Sequence, residues 1–280
     1  MESFRPLLMM AGAATLIGCG GGEDPTYTIQ FAAQVRDQPI LCDATYRGIG
    51  TTGSTVTLRD FKAYVHDVVL VRANGERHPL KLEEDGRWQR DTLALLDFED
   101  GTGTCDTGSP ESHSAVTGTA PAFDDYRGVE FKLGVPAELN HLNFATAAAP
   151  LNLSSMFWSW KGGYRFLRID VRSTVNPDFL FHLGSSGCDG TPGDGFTCSS
   201  DNQAVFAFTD FDPGTHRIVF DLAALFAETD LDHAIDGQTD LVSGCMSNEG
   251  DPECPALMTR VGLGTTPAST EGPDAFVRIE

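Results

Sequence analysis

The sequence predicts an all-β protein, built as an antiparallel β-sandwich or a barrel-like domain with long disulfide-bearing loops. Short alternating or β-branched runs recur along the chain. Turn signals such as Ala73–Glu76, Asp85–Gly86 and Asp212–Gly214 separate them. The 30 glycines and 15 prolines, against 6 methionines, favour many turns over long helices. Many short strands separated in this way are typical of antiparallel sandwiches and barrels.

The predicted elements follow one another without a visible linker. Ser154–Phe157 and Ala223–Ala227 are expected to form one or two helical turns each. The runs expected to form strands are Tyr27–Val35, Thr55–Leu58, Ala63–Val71, Thr92–Asp97, Gly128–Gly134, Tyr164–Ser173, Phe179–Leu183, Ala204–Phe208 and His216–Leu222. Because no composition change divides this stretch, residues 27–280 are predicted to form a single β-rich domain.

The charge balance excludes some classes of partner. Asp and Glu number 40 against 19 Lys and Arg, which gives a formal net charge of -21. Such a surface repels a phosphate backbone, so non-specific nucleic-acid binding is excluded, and adhesion to anionic lipid through a basic face is disfavoured. A hydrophobic content of 41%, with 18 Phe, is enough for a sizeable core.

The N-terminus resembles a bacterial lipoprotein signal. Residues 1–18 combine Arg5 with an apolar run too short to remain as a membrane-spanning helix. Leu16–Cys19 resembles a lipobox, in which a small residue precedes the acylated cysteine. Residues 19–26 then form a glycine-rich tether. The sequence therefore predicts an exported protein of the bacterial cell envelope, anchored by lipid on Cys19; the alternative is an ordinary signal peptide with a stray cysteine.

Besides Cys19, the chain has six cysteines, which is an even number. They are Cys42, Cys105, Cys188, Cys198, Cys245 and Cys254. In an exported chain this set indicates disulfides rather than zinc, and no CxxC pair is present. Short separations favour Cys188–Cys198 and Cys245–Cys254 and leave Cys42–Cys105, but the sequence alone does not decide the connectivity.

Three histidines lie among apolar residues and are candidate metal ligands. His66 and His182 fall within predicted strands, and His141 follows a predicted loop. Imidazole is the commonest metal ligand in proteins. Taken singly, a strand histidine is more often a hydrogen-bonded core residue than a ligand. The other four, His78, His113, His216 and His233, have polar or turn-like neighbours and are expected to be solvated.

The run Phe157–Tyr164 contains two tryptophans two residues apart. In a strand, Trp158 and Trp160 would face the same side. The plain interpretation is an aromatic core, and the functional one is a redox or stacking surface, to which Met156 would add a soft thioether for copper(I). A carbohydrate-binding or adhesion module that stacks sugars on this face is the rival hypothesis.

The chain shows no sign of a common catalytic site. The acidic runs Leu96–Gly103 and Cys188–Gly195 do not match the EF-hand spacing and are interpreted as hairpin or surface loops. Nucleophile-elbow, zincin, Walker and dinucleotide motifs are absent from the sequence. A hydrolase that uses a carboxylate pair stays open, because the many acidic residues allow too many pairs.

Several phrases in order resemble one family. They are Tyr64–Val68, Leu95–Asp100, Leu133–Pro136, Leu139–His141, Pro150–Asn152, Met156–Trp160 with Gly163–Tyr164, Phe181–Gly184 and Gly244–Ser247. Together they resemble the MbnP family of copper-binding proteins, also called metallo-mystery-pair four-cysteine proteins, from about residue 28 to the end.

The resemblance implies an exported, non-enzymatic protein that binds one copper(I) ion for copper homeostasis. It also implies a partner, a dihaem protein of the MauG/bacterial cytochrome c peroxidase type, which oxidises the first Trp of a Trp-x-Trp motif to kynurenine. That residue corresponds to Trp158. The family's four cysteines correspond to Cys188, Cys198, Cys245 and Cys254, with Cys42 and Cys105 as a further pair.

The histidine ligands come from physical argument rather than from the resemblance. Copper(I) accepts two or three ligands, and neutral imidazoles suit it. We rank His182 and His141 above His66, with the aniline nitrogen of a modified Trp158 as a possible third ligand. Oxidation would turn a non-ligand into a ligand, because the indole nitrogen's electron pair belongs to the ring. Asp67 is a candidate supporting group beside His66.

Overall fold

The computed structural model describes residues 23–235, 242–248, 250–264, 272 and 274–280. The signal peptide predicted for residues 1–18, the lipidation site predicted at Cys19 and residues 20–22 of the tether lie outside the described residues. They stay predictions.

The described chain is made almost entirely of strands. Its helical elements are a 3-10 turn at Ser154–Met156, α1 (Leu222–Leu225) and α2 (Cys254–Arg260). The strands are β1 (Thr26–Val35), β2 (Gln38–Pro39), β3 (Tyr46–Ile49), β4 (Ser54–Arg72), β5 (Arg77–Pro79), β6 (Lys81–Leu82), β7 (Gln89–Arg90), β8 (Leu93–Asp97), β9 (Ala115–Thr119), β10 (Tyr126–Leu133), β11 (Phe157–Ser159), β12 (Gly163–Tyr164), β13 (Leu167–Ser173), β14 (Phe179–Leu183), β15 (Asp189–Thr191), β16 (Gly195–Thr197), β17 (Ala204–Phe208), β18 (Arg217–Asp221), β19 (Ser243–Cys245) and β20 (Val277–Ile279).

Two large sheets pack face to face in the described ranges. One has the order β20-β18-β1-β9-β6, with β2 on β1. The other has the order β17-β10-β4-β13-β14-β19, with β3, β5 and β8 also paired to β4. Aromatic rings join them: the Phe31 and Phe131 centroids lie 5.6 Å apart, and those of Phe61 and Phe220 lie 6.0 Å apart. The all-β, sandwich-like prediction is confirmed.

β4 is the central strand of the larger sheet. The sequence predicts two separate strands here, Thr55–Leu58 and Ala63–Val71, but the two runs form one continuous strand. The intervening charges Asp60 and Lys62 are only 1% and 2% exposed. They remain inside the sheet because the Lys62 ammonium lies 2.9 Å from the Asp60 carboxylate and also bonds Glu99. Buried charges are tolerated when they are paired in this way.

The cysteines pair as their separations favoured. The disulfides are Cys42–Cys105, Cys188–Cys198 and Cys245–Cys254. Cys188–Cys198 closes the β15–β16 hairpin, and Cys245–Cys254 ties β19 to α2. Such bonds form and persist in oxidising compartments, as expected of an exported protein. Among the described residues, no helix has the length and apolar character needed to cross a bilayer.

Candidate metal centre

Trp158 lies at the middle of β11 and covers His182. The ring centroids of Trp158 and His182 are 6.3 Å apart. The half-buried indole rests on Gly184, where an added Cβ would overlap the indole Cζ3 and lie 2.8 Å from the Tyr164 carbonyl oxygen. Gly184 therefore provides the space in which the indole sits.

Trp160 lies outside that strand. β11 ends at Ser159, so strand alternation does not extend to Trp160. The Trp160 side chain is 42% exposed and meets Phe157 edge-on at 6.3 Å between centroids. The two indoles therefore have different surroundings.

His182 is a buried imidazole with a defined tautomer. It belongs to β14 and is 4% exposed. Its Nε2 lies 2.6 Å from Asp170 Oδ1 on the neighbouring strand β13, and its Nδ1 accepts a hydrogen bond from Arg165 Nε at 3.2 Å. Because a carboxylate accepts and a guanidinium donates, the proton sits on Nε2 and the lone pair on Nδ1.

Electrostatics keep this imidazole neutral. Burial lowers the pKa of His182, and the positive charges of Arg165 and Arg168 lower it further, although the bond to Asp170 opposes both. Burial raises the pKa of Asp170, but the hydrogen bond from His182 and the charge of Arg168 outweigh it, so the net shift is downward. A neutral imidazole held by an ionised carboxylate is the arrangement commonly found around metal-ligating histidines.

Arg165 completes the surroundings of His182. Its guanidinium carbon lies 5.3 Å from the Trp158 ring centroid, within the range of a cation–π contact. Its Nη1 donates to the carbonyl oxygens of Ser155 at 2.9 Å and Phe157 at 3.0 Å. Burial, reinforced by Arg168, lowers the pKa of Arg165 to about 10. Arg165 thus joins the Trp158 strand to His182.

His141 contacts the turn between β11 and β12. Its Nδ1 lies 2.8 Å from the Trp160 carbonyl oxygen, so Nδ1 carries the proton and Nε2 the lone pair. Nε2 is 3.6 Å from Cys198 Sγ, and the ring stacks on Phe196 at 4.2 Å. His141, Cys188 and Cys198 form one group of metal-ligand spacing. The two sulfurs form a disulfide, however, and it is the thiolate that ligates metals.

His66 lies in a third environment, on β4. It is 2% exposed, with Nε2 at 3.0 Å from Gln203 Oε1 and Nδ1 at 3.2 Å from Asp67 Oδ2. Burial lowers its pKa. Over the described ranges, no group of three or more His, Cys, Asp or Glu with metal-ligand spacing holds two of these histidines. His182 is the one of the three whose ring contacts Trp158.

A cleft of about 730 Å³ borders this region at Trp158. Trp158 forms part of its wall, together with Ser159, Lys161, Gly162, Ser185–Asp189 and Met246–Asn248. Neutral imidazole nitrogen is a donor that copper(I) accepts, and His182 and His141 each present one lone pair. The donor chemistry therefore fits a copper(I) ion.

Several features of the site escaped the sequence analysis. Arg165 and Asp170 were not singled out, because no local pattern marks a partner that lies across a strand. Met156, proposed as a thioether donor, is fully buried within the hydrophobic core. The expectation that His78 and His113 are solvated is wrong, since His78 packs on Phe123 at 4.9 Å and His113 stacks on Trp88 at 5.1 Å.

Comparisons with known proteins agree with this architecture. The MbnP family model matches residues 24–247. Among solved structures, MbnP from Methylosinus trichosporium is similar with a TM-score of 0.80 and 28% identity, over 92% of this chain and 99% of that one. A search of curated proteins gave no match. The family model spans most of the chain, and the chain therefore belongs to the MbnP family.

Proposed function

We propose that this protein binds a single copper(I) ion beside Trp158, with His182 as the principal ligand, and serves copper homeostasis without catalysing a reaction itself. The observation that carries the proposal is the state of His182. Asp170 fixes its Nε2 proton, so the Nδ1 lone pair points toward Arg165 beneath the indole. His141 and His66 remain candidate further ligands.

The proposal includes modification of Trp158 by a dihaem partner. Ring opening to kynurenine uses two molecules of hydrogen peroxide, activated at the partner's haems. Indole carbon C2 leaves as formate, one peroxide oxygen is kept as the ketone, and water is the other product. It leaves a primary aromatic amine at Trp158, whose nitrogen has a free electron pair. The half-buried position of Trp158 at the cleft supports access by a partner.

The proposal places the protein in the bacterial cell envelope, held by lipid on Cys19. The disulfides and the similarity to MbnP support export. The sugar-stacking alternative has less support, because Arg165 lies over the Trp158 ring and Trp160 is outside the strand.

The test combines mass and metal analysis on the chain produced with and without its dihaem partner. We expect a gain of about 4 Da on the peptide containing Trp158 in the co-expressed protein, together with copper in a one-to-one ratio. His182→Ala should lower copper(I) affinity most, and removing His141 or His66 as well should abolish stoichiometric binding.

His233→Ala is the matched control, because His233 is a 67% exposed histidine paired with Asp230 at the surface. It should bind copper as the unmodified sequence does. A variant lacking His182, His141 and His66 that still binds one copper(I) tightly would refute the ligand assignment. Unmodified tryptophans with no bound copper would refute the function.

A further inference from the structure

Arg165 is a half-buried cation whose recorded hydrogen bonds go to neutral groups. Its recorded acceptors are the neutral His182 Nδ1 and the backbone carbonyls of Ser155 and Phe157. Within the described ranges, no carboxylate lies within ion-pair distance of Arg165. Its positive charge is therefore not cancelled by a direct neighbour.

The adjacent Arg168 shows the contrast. Its guanidinium lies 3.0 Å from Asp60 and 2.6 Å from Asp170, so both nearby carboxylates are engaged. Asp170 also binds His182 at 2.6 Å. The charges on the core side of His182 are thus held in ion pairs. The Arg165 guanidinium, on the side of the lone pair, makes no ion pair among the described residues, although Asp170 and Asp60 attract it from a greater distance.

A metal ion on His182 Nδ1 would lie close to that guanidinium. Nδ1 is 3.2 Å from Arg165 Nε. The hydrogen bond must break when Nδ1 takes a metal. The two bonds from Nη1 to backbone carbonyls do not involve His182, so they can hold the guanidinium near the site. The repulsion between guanidinium and ion then grows in proportion to the charge of the ion.

We propose that Arg165 is a specificity-determining residue that selects a monovalent metal ion over divalent ions at this site. This inference rests on the proposed copper(I) function. Divalent zinc and copper(II) also bind imidazole well, so ligand type alone does not reject them. Repulsion from the guanidinium lowers the logarithm of the binding constant about twice as much for a divalent ion as for a monovalent one.

The test measures how Arg165→Gln changes the affinities for copper(I) and zinc(II), by anaerobic chelator competition for copper(I) and direct titration for zinc(II). Glutamine keeps a hydrogen-bond donor and removes the charge. If the copper(I) affinity rises about tenfold, the zinc(II) affinity should rise about a hundredfold, so that the preference for copper(I) falls about tenfold. Silver(I), a redox-inert monovalent ion, should follow copper(I).

Two further variants control for folding. Arg172→Gln removes an exposed arginine of β13, whose Nε bonds the Pro177 carbonyl, and should leave the preference unchanged. Ser155→Asp keeps the hydrogen bond of Arg165 to the Ser155 backbone carbonyl and adds a carboxylate to that same residue. It should also lower the preference for copper(I) over zinc(II). The test therefore still works if Arg165→Gln does not fold.

The outcomes separate the two proposals. If the unmodified sequence binds copper(I) and neither Arg165→Gln nor Ser155→Asp changes the zinc-to-copper ratio, the selectivity inference is overturned and the copper function stands. Equal gains for both ions overturn it as well. If neither the unmodified sequence nor Arg165→Gln binds copper(I), both proposals are overturned.

Discussion

Asp97 belongs to the buried cluster of charges around Lys62, and its titration gives a quantitative test of how that cluster affects stability. It ends β8, is fully buried, and has Oδ1 3.3 Å from the Lys62 ammonium and Oδ2 2.7 Å from Ser109 Oγ. Burial raises the pKa of Asp97 to about 6, although Lys62 and Ser109 oppose the shift. Glu99 makes the closer contact with Lys62 and has a lowered pKa. Asp97 is therefore the carboxyl of this pair that takes up the proton.

The sign of the effect follows from proton linkage. Between pH 4 and 6 the folded protein binds a proton at Asp97 that the unfolded chain releases. The contribution of Asp97 to stability is thus fully present below about pH 4 and is lost as the pH rises through about 6. A shift from the ordinary value of 3.8 to about 6, at about 1.4 kcal/mol per pH unit, amounts to about 3 kcal/mol.

Asp97→Asn removes this titration and keeps a group that can accept from Ser109. We expect the difference in unfolding free energy between the unmodified sequence and Asp97→Asn to fall by about 2–3 kcal/mol from pH 4 to pH 7, with half of the fall complete at about pH 5. Urea unfolding with intact disulfides, followed by circular dichroism at pH 4–8, measures it. A difference that is flat with pH, or that grows as the pH rises, would refute the reasoning.

Other residues of the site and the scaffold give further predictions. Asp170→Asn should lower copper(I) affinity about 10- to 100-fold and stability by about 3 kcal/mol, measured by chelator competition and urea unfolding. Gly184→Ala should displace the indole beneath the cleft, seen as a shift in tryptophan emission. Gly193→Ala is its control, since an added Cβ there meets nothing within 4 Å. Replacing Cys42 and Cys105 by serine opens a loop of 63 residues and should cost about 4 kcal/mol in unfolding free energy.

The sequence predicts a strand correctly where the alternation of apolar residues lies within one segment of the chain. Phe179–Leu183 and Ala204–Phe208 form strands with the predicted bounds, because alternating burial is a local property of a half-buried strand. β4 was not recognised as one strand, since Asp60 and Lys62 interrupt the apolar run. Their burial depends on partners more than thirty residues away, such as Glu99.

The same limit applies to the site. The sequence predicts His182 and Trp158 as site residues from their apolar neighbours and their motif, which are local features, and this assignment stays a prediction. Asp170 reaches His182 because β13 pairs with β14, with Val171 opposite Phe179 and Leu167 opposite Leu183. That register is a tertiary property, so no spacing in the sequence predicts the contact.

The buried charges also indicate which part of the site is fixed and which part can move. From the core outward, Lys62 pairs with Asp60, Asp60 with Arg168, Arg168 with Asp170, and Asp170 with His182. Breaking any of these pairs would leave a buried charge uncompensated, which is strongly unfavourable, so His182 is held firmly from behind. On the other side, Arg165 bonds only neutral acceptors among its recorded partners. In the proposed copper site, metal entry at Nδ1 therefore requires the hydrogen bond from Arg165 Nε to break and the indole to shift, while the Nη1 bonds hold the guanidinium nearby and the imidazole and its carboxylate stay in place.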